Sequence, residues 1–166
     1  MLVDADARTI TYLRVSVTAN CNLACSYCLP RGKNGFTPHE VFLTADEFVR
    51  LVSVFADMGV ERVRITGGEP LLRKDILDIA GGIRALPGIR TLVLSTNGVL
   101  LEKMAGPLVE AGVSGVNVSI DSLDPETCDF MRGRPGHTER TVTSILRITE
   151  EIKRRRGSHM KVYLKT

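Results

Sequence analysis

Cys21, Cys25 and Cys28 fall within the stretch CNLACSYCLP, three residues separating the first pair and two the second. The chain's fourth cysteine, Cys128, lies a hundred residues further on. Thiols gathered this closely suit a metal centre. A structural zinc almost always takes four ligands, typically as two separated pairs. Here the fourth would have to be His39, Cys128, His137 or His159, folded back onto the loop. A cubane 4Fe–4S cluster has four irons and is ordinarily held by cysteine thiolates. Three protein thiols leave one iron open, and an open position is the mark of a catalytic metal, because a substrate or cofactor can bind there. The loop therefore points to a cluster that binds something else. A non-catalytic scaffold holding zinc or a cluster is the rival reading.

The elements that must position this loop are legible as an alternation. β-rich runs occur at Tyr12–Val17, Arg62–Thr66, Thr91–Ser95, Gly115–Ile120 and Lys161–Leu164. Helical patterns lie between them at Ala45–Met58, Asp75–Ala85, Leu100–Ala111 and Thr138–Arg155. Thr44 with Glu47 forms a capping box before the first helix, and Gly59 and Gly112 act as C-terminal stops. Residues 30–43 form the one long loop. Strands alternating with helices predict βαβ units and a parallel sheet.

Strand parity adds a second message. Buried parallel strands usually read as near-continuous apolar runs. Here Arg14, Ser16 and Thr18 alternate with Leu13, Val15 and Val17, and Arg64 and Thr66 with Val63 and Ile65. Asn117, Ser119 and Asp121 alternate with Val116, Val118 and Ile120. Successive side chains face opposite ways, so one sheet face is consistently polar. In a sheet covered by helices on one side and curved into a barrel, that face lines the lumen. An antiparallel sheet with one wet face is the plainer alternative, but the long helical crossovers oppose it. Arg14 and Arg64, with Lys161 or Lys165 as additions, make an anionic small-molecule ligand the expectation.

Composition sets the outer bounds. The chain has 166 residues, 43% hydrophobic and 25% charged, enough for one domain with a real core. A net charge of +3 is too small to argue for nucleic acid, and the run Lys153–Arg156 reads as a solvated helix end. The N-terminus lacks the apolar stretch of a signal peptide, and no run is long enough to cross a membrane. Clustered cysteines outside a disulfide framework predict a reducing cytoplasm. Cys128 reads as a half-buried bystander, Met131 and Met160 as core fillers, and GSHM (Gly157–Met160) as native sequence. Taken singly, Gly-Gly-Glu-Pro and Asn97-Gly98 are turn signals, and Asp121 serves only its own loop.

Together these motifs say more. CxxxCxxC with Tyr27 before the last cysteine resembles the radical S-adenosylmethionine enzymes. RITGGEPLLR (Arg64–Arg73), STNG (Ser95–Gly98) and VNVSIDSLDPE (Val116–Glu126) resemble that family's later strand ends, in its order and spacing. LRVSVTANCNLACSYCLP and VRITGGEPLLRKDI are most similar to its GTP-cyclising group, the molybdenum-cofactor biosynthesis protein A type. The resemblance implies an α/β fold, a partial TIM-like (β/α) barrel of about five parallel strands over residues 1–166, incomplete at its C-terminus. It implies a 4Fe–4S cluster on Cys21, Cys25 and Cys28, which would also be the catalytic residues. S-adenosylmethionine would bind the open iron and be cleaved to a 5′-deoxyadenosyl radical that abstracts hydrogen from substrate. Tyr27 would lie against the adenine, Gly67, Gly68 and Glu69 at the methionine ammonium, and Ser119 at the carboxylate or ribose. Arg14, Arg64 and Ser95 would point toward substrate, with GTP as the suspected one. Reductive cleavage implies an electron donor such as flavodoxin or ferredoxin.

The chain also departs from that group. Ala19 and Asn20 stand where an acidic–basic pair is usual before the first cysteine. MRGRPGHTERTV (Met131–Val142) is more similar to radical enzymes that modify peptides or cofactor precursors and carry extra clusters, which is the alternative function. Lys161, Tyr163 and Lys165 compete for a lysine expected on the last strand. Because the chain stops at Thr166, on or just after a fifth strand, the resemblance also leads to the expectation of either a fragment of a longer protein or a reduced module.

Overall fold

The computed structural model describes residues 1–28, 43–155 and 158–165. The loop expected over 30–43, except Leu43, therefore lies outside the described residues, as do His39, Arg156, Gly157 and Thr166. Within them the chain runs β1 (Tyr12–Ser16), α1 (Ala45–Asp57), β2 (Arg62–Thr66), a 3₁₀ turn (Pro70–Leu72) and α2 (Ile76–Ala85). It continues through β3 (Thr91–Thr96), α3 (Leu101–Glu110), β4 (Gly115–Ser119), α4 (Pro125–Arg132), α5 (His137–Arg154) and β5 (Lys161–Lys165).

All five strands pair parallel in one sheet, in the order β1-β2-β3-β4-β5. The fold is thus α/β, a partial TIM-like barrel, and the antiparallel alternative is excluded. Apolar parity decides which face the helices cover. Val63, Ile65, Leu92, Leu94, Val116 and Val118 are buried in one core with Val52, Ile79, Ile83, Leu101, Leu108 and Ile148 of the helices. Each such side chain contributes roughly 1.5–3 kcal/mol of burial. The opposite face carries Arg14 and Ser16, which are exposed, and Arg64, Ser95, Asn117 and Ser119, which are partly exposed.

Local signals behave as the residues dictate. Thr44 Oγ1 accepts from Glu47 N–H and the Glu47 carboxylate from Thr44 N–H at 2.7 Å, which completes the capping box and satisfies two orphan amides. Met160 is buried in the core and Met131 partly buried. Two expectations are corrected. Cys128 is not half-buried but fully so, because it lies on the inner side of α4 with Arg132, one helical turn on. Thr18 leaves the polar face: it is 5% exposed and lies past the end of β1, its Oγ1 accepting from Asn20 N–H at 3.1 Å.

The helix α4 was not apparent from hydrophobic pattern. Its cues are present, with Asp124 accepting from Thr127 N–H at 2.9 Å, Pro125 at the first helical position and Gly133 left-handed at the end (φ 69°). With eight residues and only Cys128 and Arg132 buried, it shows no apolar stripe.

Candidate cofactor site at the strand ends

The ladder between β1 and β2 continues past both strands and seats the chain entering Cys21. Val17 N–H bonds Thr66 O at 2.9 Å, Gly68 N–H bonds Thr18 O at 2.7 Å, and Glu69 N–H bonds Asn20 O at 2.7 Å. This approach requires the double glycine. A Cβ on Gly67 would stand 2.5 Å from Thr18 O, and one on Gly68 2.3 Å from Asn20 O. Arg73, from the same motif, closes the feet of the β1–α1 connection. Its Nη1 donates to Val17 O at 2.7 Å, its Nη2 to Leu43 O at 2.6 Å, and its guanidinium pairs with Asp75 over the Phe48 ring.

Glu69 is fully buried. Its Oε1 accepts from Leu71 N–H at 3.1 Å and from the Thr96 hydroxyl at 2.7 Å, and its Oε2 accepts from Asn97 N–H at 2.7 Å. Burial pushes the Glu69 carboxyl above the usual range, against the pull of those three hydrogen bonds and of Arg132. The side chain thereby brackets the end of β3 to the turn after β2. Asn97 passes the tie to the cysteine loop. Its Nδ2–H₂ donates to Asn22 Oδ1 at 2.7 Å and lies 4.0 Å from Cys21 Sγ, to which Leu23 N–H also donates at 3.5 Å.

On the other side of the loop stands Arg132, a residue the pattern of the sequence did not single out. Its Nε donates to Asp121 Oδ2 at 2.9 Å, its Nη1 to Asn97 O at 3.3 Å and its Nη2 to Ser119 O. Asp121 also accepts the Tyr27 hydroxyl, 3.1 Å from each carboxylate oxygen, so it does not serve only its own loop. Tyr27 is 61% exposed, and desolvation, then Cys25 and Asp121, raise its phenol above the usual range. Arg132 and Met131 carbonyls accept Ala24 N–H at 3.1 Å and Ser26 N–H at 2.9 Å.

All four cysteines are free; Cys21 and Cys25 are half-buried and Cys28 is exposed. Burial pushes the thiols of Cys21 and Cys25 up, opposed by Leu23 N–H at the first and by the Tyr27 hydroxyl at the second. Among the described residues no three His, Cys, Asp or Glu side chains form a cage for a single metal ion. A cubane places its thiolates on separate irons. Three uncommitted thiols on one loop, with N–H groups already directed at Cys21 sulfur, fit the donor set of a cluster. Cys128 lies within the α4 packing and is not brought to them.

The polar face continues from this end of the sheet. Ser119 is the last residue of β4, and Ser95 precedes the end of β3, with Asn117 as its neighbour on β4. Arg14 and Arg64 are direct partners further down, in a row with Val93, Gly115 and Lys161. They line an open cleft of ≈ 460 Å³ with Tyr12, Arg62, Val93 and Tyr163. Arg62 and Arg64 stand 6.0 and 5.6 Å from the Tyr12 ring centroid. Arg64 Nε is buried without a hydrogen-bond partner among the described residues. Like charges side by side, with an unsatisfied donor, suit a multiply charged anion. Lys161 and Lys165 both lie on this face, Lys165 beside Ser119.

Residues 15–164 match the family described as the Radical SAM superfamily. The chain is 51% identical over 138 residues to GTP 3',8-cyclase of Actinobacillus succinogenes, covering 83% of this chain and 41% of that protein. It is 42% identical over 135 residues to molybdenum cofactor biosynthesis protein 1 of Bos taurus, covering 81% of this chain and 21% of that one. The chain thus spans less than half the length of the curated relatives it matches. The crystal structure of Streptococcus suis SuiB bound to S-adenosylmethionine has the same fold, with a TM-score of 0.72 over 92% of this chain and 33% of that one at 21% identity.

Proposed function

The chain belongs to the radical S-adenosylmethionine superfamily, and from that membership we propose that its cysteine loop holds a 4Fe–4S cluster for GTP cyclisation in molybdenum-cofactor synthesis. The observation that carries the reading is the convergence at one end of the sheet of the three-thiol loop, the Gly67–Glu69 turn and the end of β4. When bound, the cluster supplies the electron that cleaves S-adenosylmethionine to a 5′-deoxyadenosyl radical. That electron comes from outside the chain, from a donor of the flavodoxin or ferredoxin class.

Each residue then has a stated task. Cys21, Cys25 and Cys28 hold the cluster. Gly67, Gly68 and Glu69 form the turn that meets the methionine ammonium; the Glu69 carboxylate is already engaged by three internal donors, so its charge acts from behind the turn. Tyr27 lies against the adenine, its hydroxyl held by Asp121. Ser119 faces the methionine carboxylate or ribose. Arg14, Arg64 and Ser95 face an anionic substrate, for which the triphosphate of GTP matches the paired guanidiniums.

The test is anaerobic reconstitution with iron and sulfide. About one four-iron cluster per chain is expected. Cys21→Ala, Cys25→Ala and Cys28→Ala should each abolish it, and Cys128→Ala should not. Stoichiometric, tightly held zinc with no uptake of iron would sink the cluster reading.

A further inference from the structure

We propose that Arg132 is the positioning residue that locks the middle of the cysteine loop, around Cys25, to the ends of β3 and β4; its bearing on cofactor binding rests on the function proposed above. The side chain of Arg132 is 1% exposed. Its three acceptors belong to three places: the Asp121 carboxylate, the Asn97 carbonyl after β3 and the Ser119 carbonyl closing β4. The main chain of the same residue faces the other way. The last carbonyls of a helix have no intrahelical partner, and here those of Met131 and Arg132 take the N–H groups of Ser26 and Ala24, the two neighbours of Cys25.

The next anchor of the loop also passes through Arg132. Tyr27 is tied to Asp121, and Asp121 is paired with the guanidinium. Asn97, which holds Asn22 beside Cys21, is gripped from behind through its carbonyl by Arg132 and by the Thr141 hydroxyl at 3.0 Å. A buried ion pair is a poor device for stability, since apolar side chains of similar volume often do as well or better. What the guanidinium provides is a planar fork reaching several acceptors at once. Its placement between loop and strand ends fits alignment better than it fits core filling.

Amide hydrogen exchange on the metal-free chain tests this without the cluster. In Arg132→Lys and Arg132→Met, the amides of Ala24 and Ser26 should exchange about tenfold faster relative to those of Ile65 and Leu94 in the sheet, as local opening predicts. Asp121→Asn, which keeps the shape of a partly exposed side chain, should speed the same two amides in the same sense. Unchanged ratios overturn the proposal, and so does a uniform rise at all amides, which would mean a purely structural role. If both Arg132 variants fail to fold, Asp121→Asn decides by the same ratios. On reconstituted protein, Arg132→Lys should retain iron but need about tenfold more S-adenosylmethionine to alter the cluster's electron paramagnetic resonance spectrum, the loss of roughly one charged hydrogen bond. Failure of the wild type to take up iron would remove the function proposed above and leave the exchange result standing.

Discussion

Glu69 shows how a single side chain can be read in two ways. Its place in Gly-Gly-Glu-Pro suggests a group offered to a ligand, yet both oxygens are turned inward onto Leu71, Thr96 and Asn97. Glutamine cannot satisfy these donors, because one of its terminal atoms is itself NH₂. Either Asn97 N–H or Leu71 N–H then loses its acceptor, at a cost of about 1–3 kcal/mol. The sign of the pH dependence follows from burial. A native pKa raised from the ordinary 4.5 means the folded chain binds this proton more readily than the unfolded one. The stability due to the neutral carboxyl is therefore full below 4.5 and is lost as pH rises through the native pKa. Glu69→Gln should be less stable than wild type at the acid end, and the gap should narrow as pH rises. Urea melts across that range check it; a gap that widens with pH would mean that the three donors and Arg132 outweigh burial at this carboxyl.

The element that decides the site is α4, whose end docks on the cysteine loop. Gly133 is left-handed, and a Cβ there would stand 2.5 Å from Ala24 O. Gly136 is also left-handed, at φ 73°, but a Cβ would meet nothing within 4 Å. The two glycines thus separate backbone strain from loop contact. Alanine in the left-handed region costs about 1–3 kcal/mol at either place. Gly133→Ala should cost more than Gly136→Ala and should also lower iron loading, while Gly136→Ala should load normally. Thermal denaturation and iron analysis give both numbers, and equal effects would mean that α4 does not brace the loop. Arg73 is the counterpart at the loop's outer feet, holding Val17 and Leu43 together across the β1–α1 connection.

At the scale of the molecule, the parallel sheet separates the work by height. The three cysteines, the Gly67–Glu69 turn and Ser119 lie at the strand ends, whereas Arg14 and Arg64 lie lower on the polar face. All the proposed cluster and S-adenosylmethionine contacts precede residue 120, but the relatives matched are more than twice as long as the segment they share with this chain. Cofactor cleavage should therefore need less of the protein than orientation of the substrate does. Orientation can supply roughly 7–11 kcal/mol of a barrier. The reduced, reconstituted 166 residues should form 5′-deoxyadenosine slowly and little or no cyclised GTP product. Chromatography of both products, with and without GTP, checks this, and efficient GTP-dependent turnover would refute it. No helix among the described residues is long and apolar enough to cross a membrane.

What could be read before folding was whatever local order encodes. Strand parity named the buried face from Val63 and Ile65 and the polar face from Arg14 and Arg64, because side chains alternate whatever the strand packs against. Thr44 and Glu47 marked a helix start three residues apart, and the cysteine spacing marked the candidate ligands. The tertiary structure decided which polar groups meet. Tyr27 reaches Asp121 across 94 positions, Asn97 reaches Asn22 across 75, and Arg132 is drawn inward to three acceptors on neighbouring strand ends. No pattern within α4 announces that arginine as buried, since its only buried helix companion is Cys128. A buried charge is stable only where its partners are already assembled, and those partners come together only when the strands lie side by side.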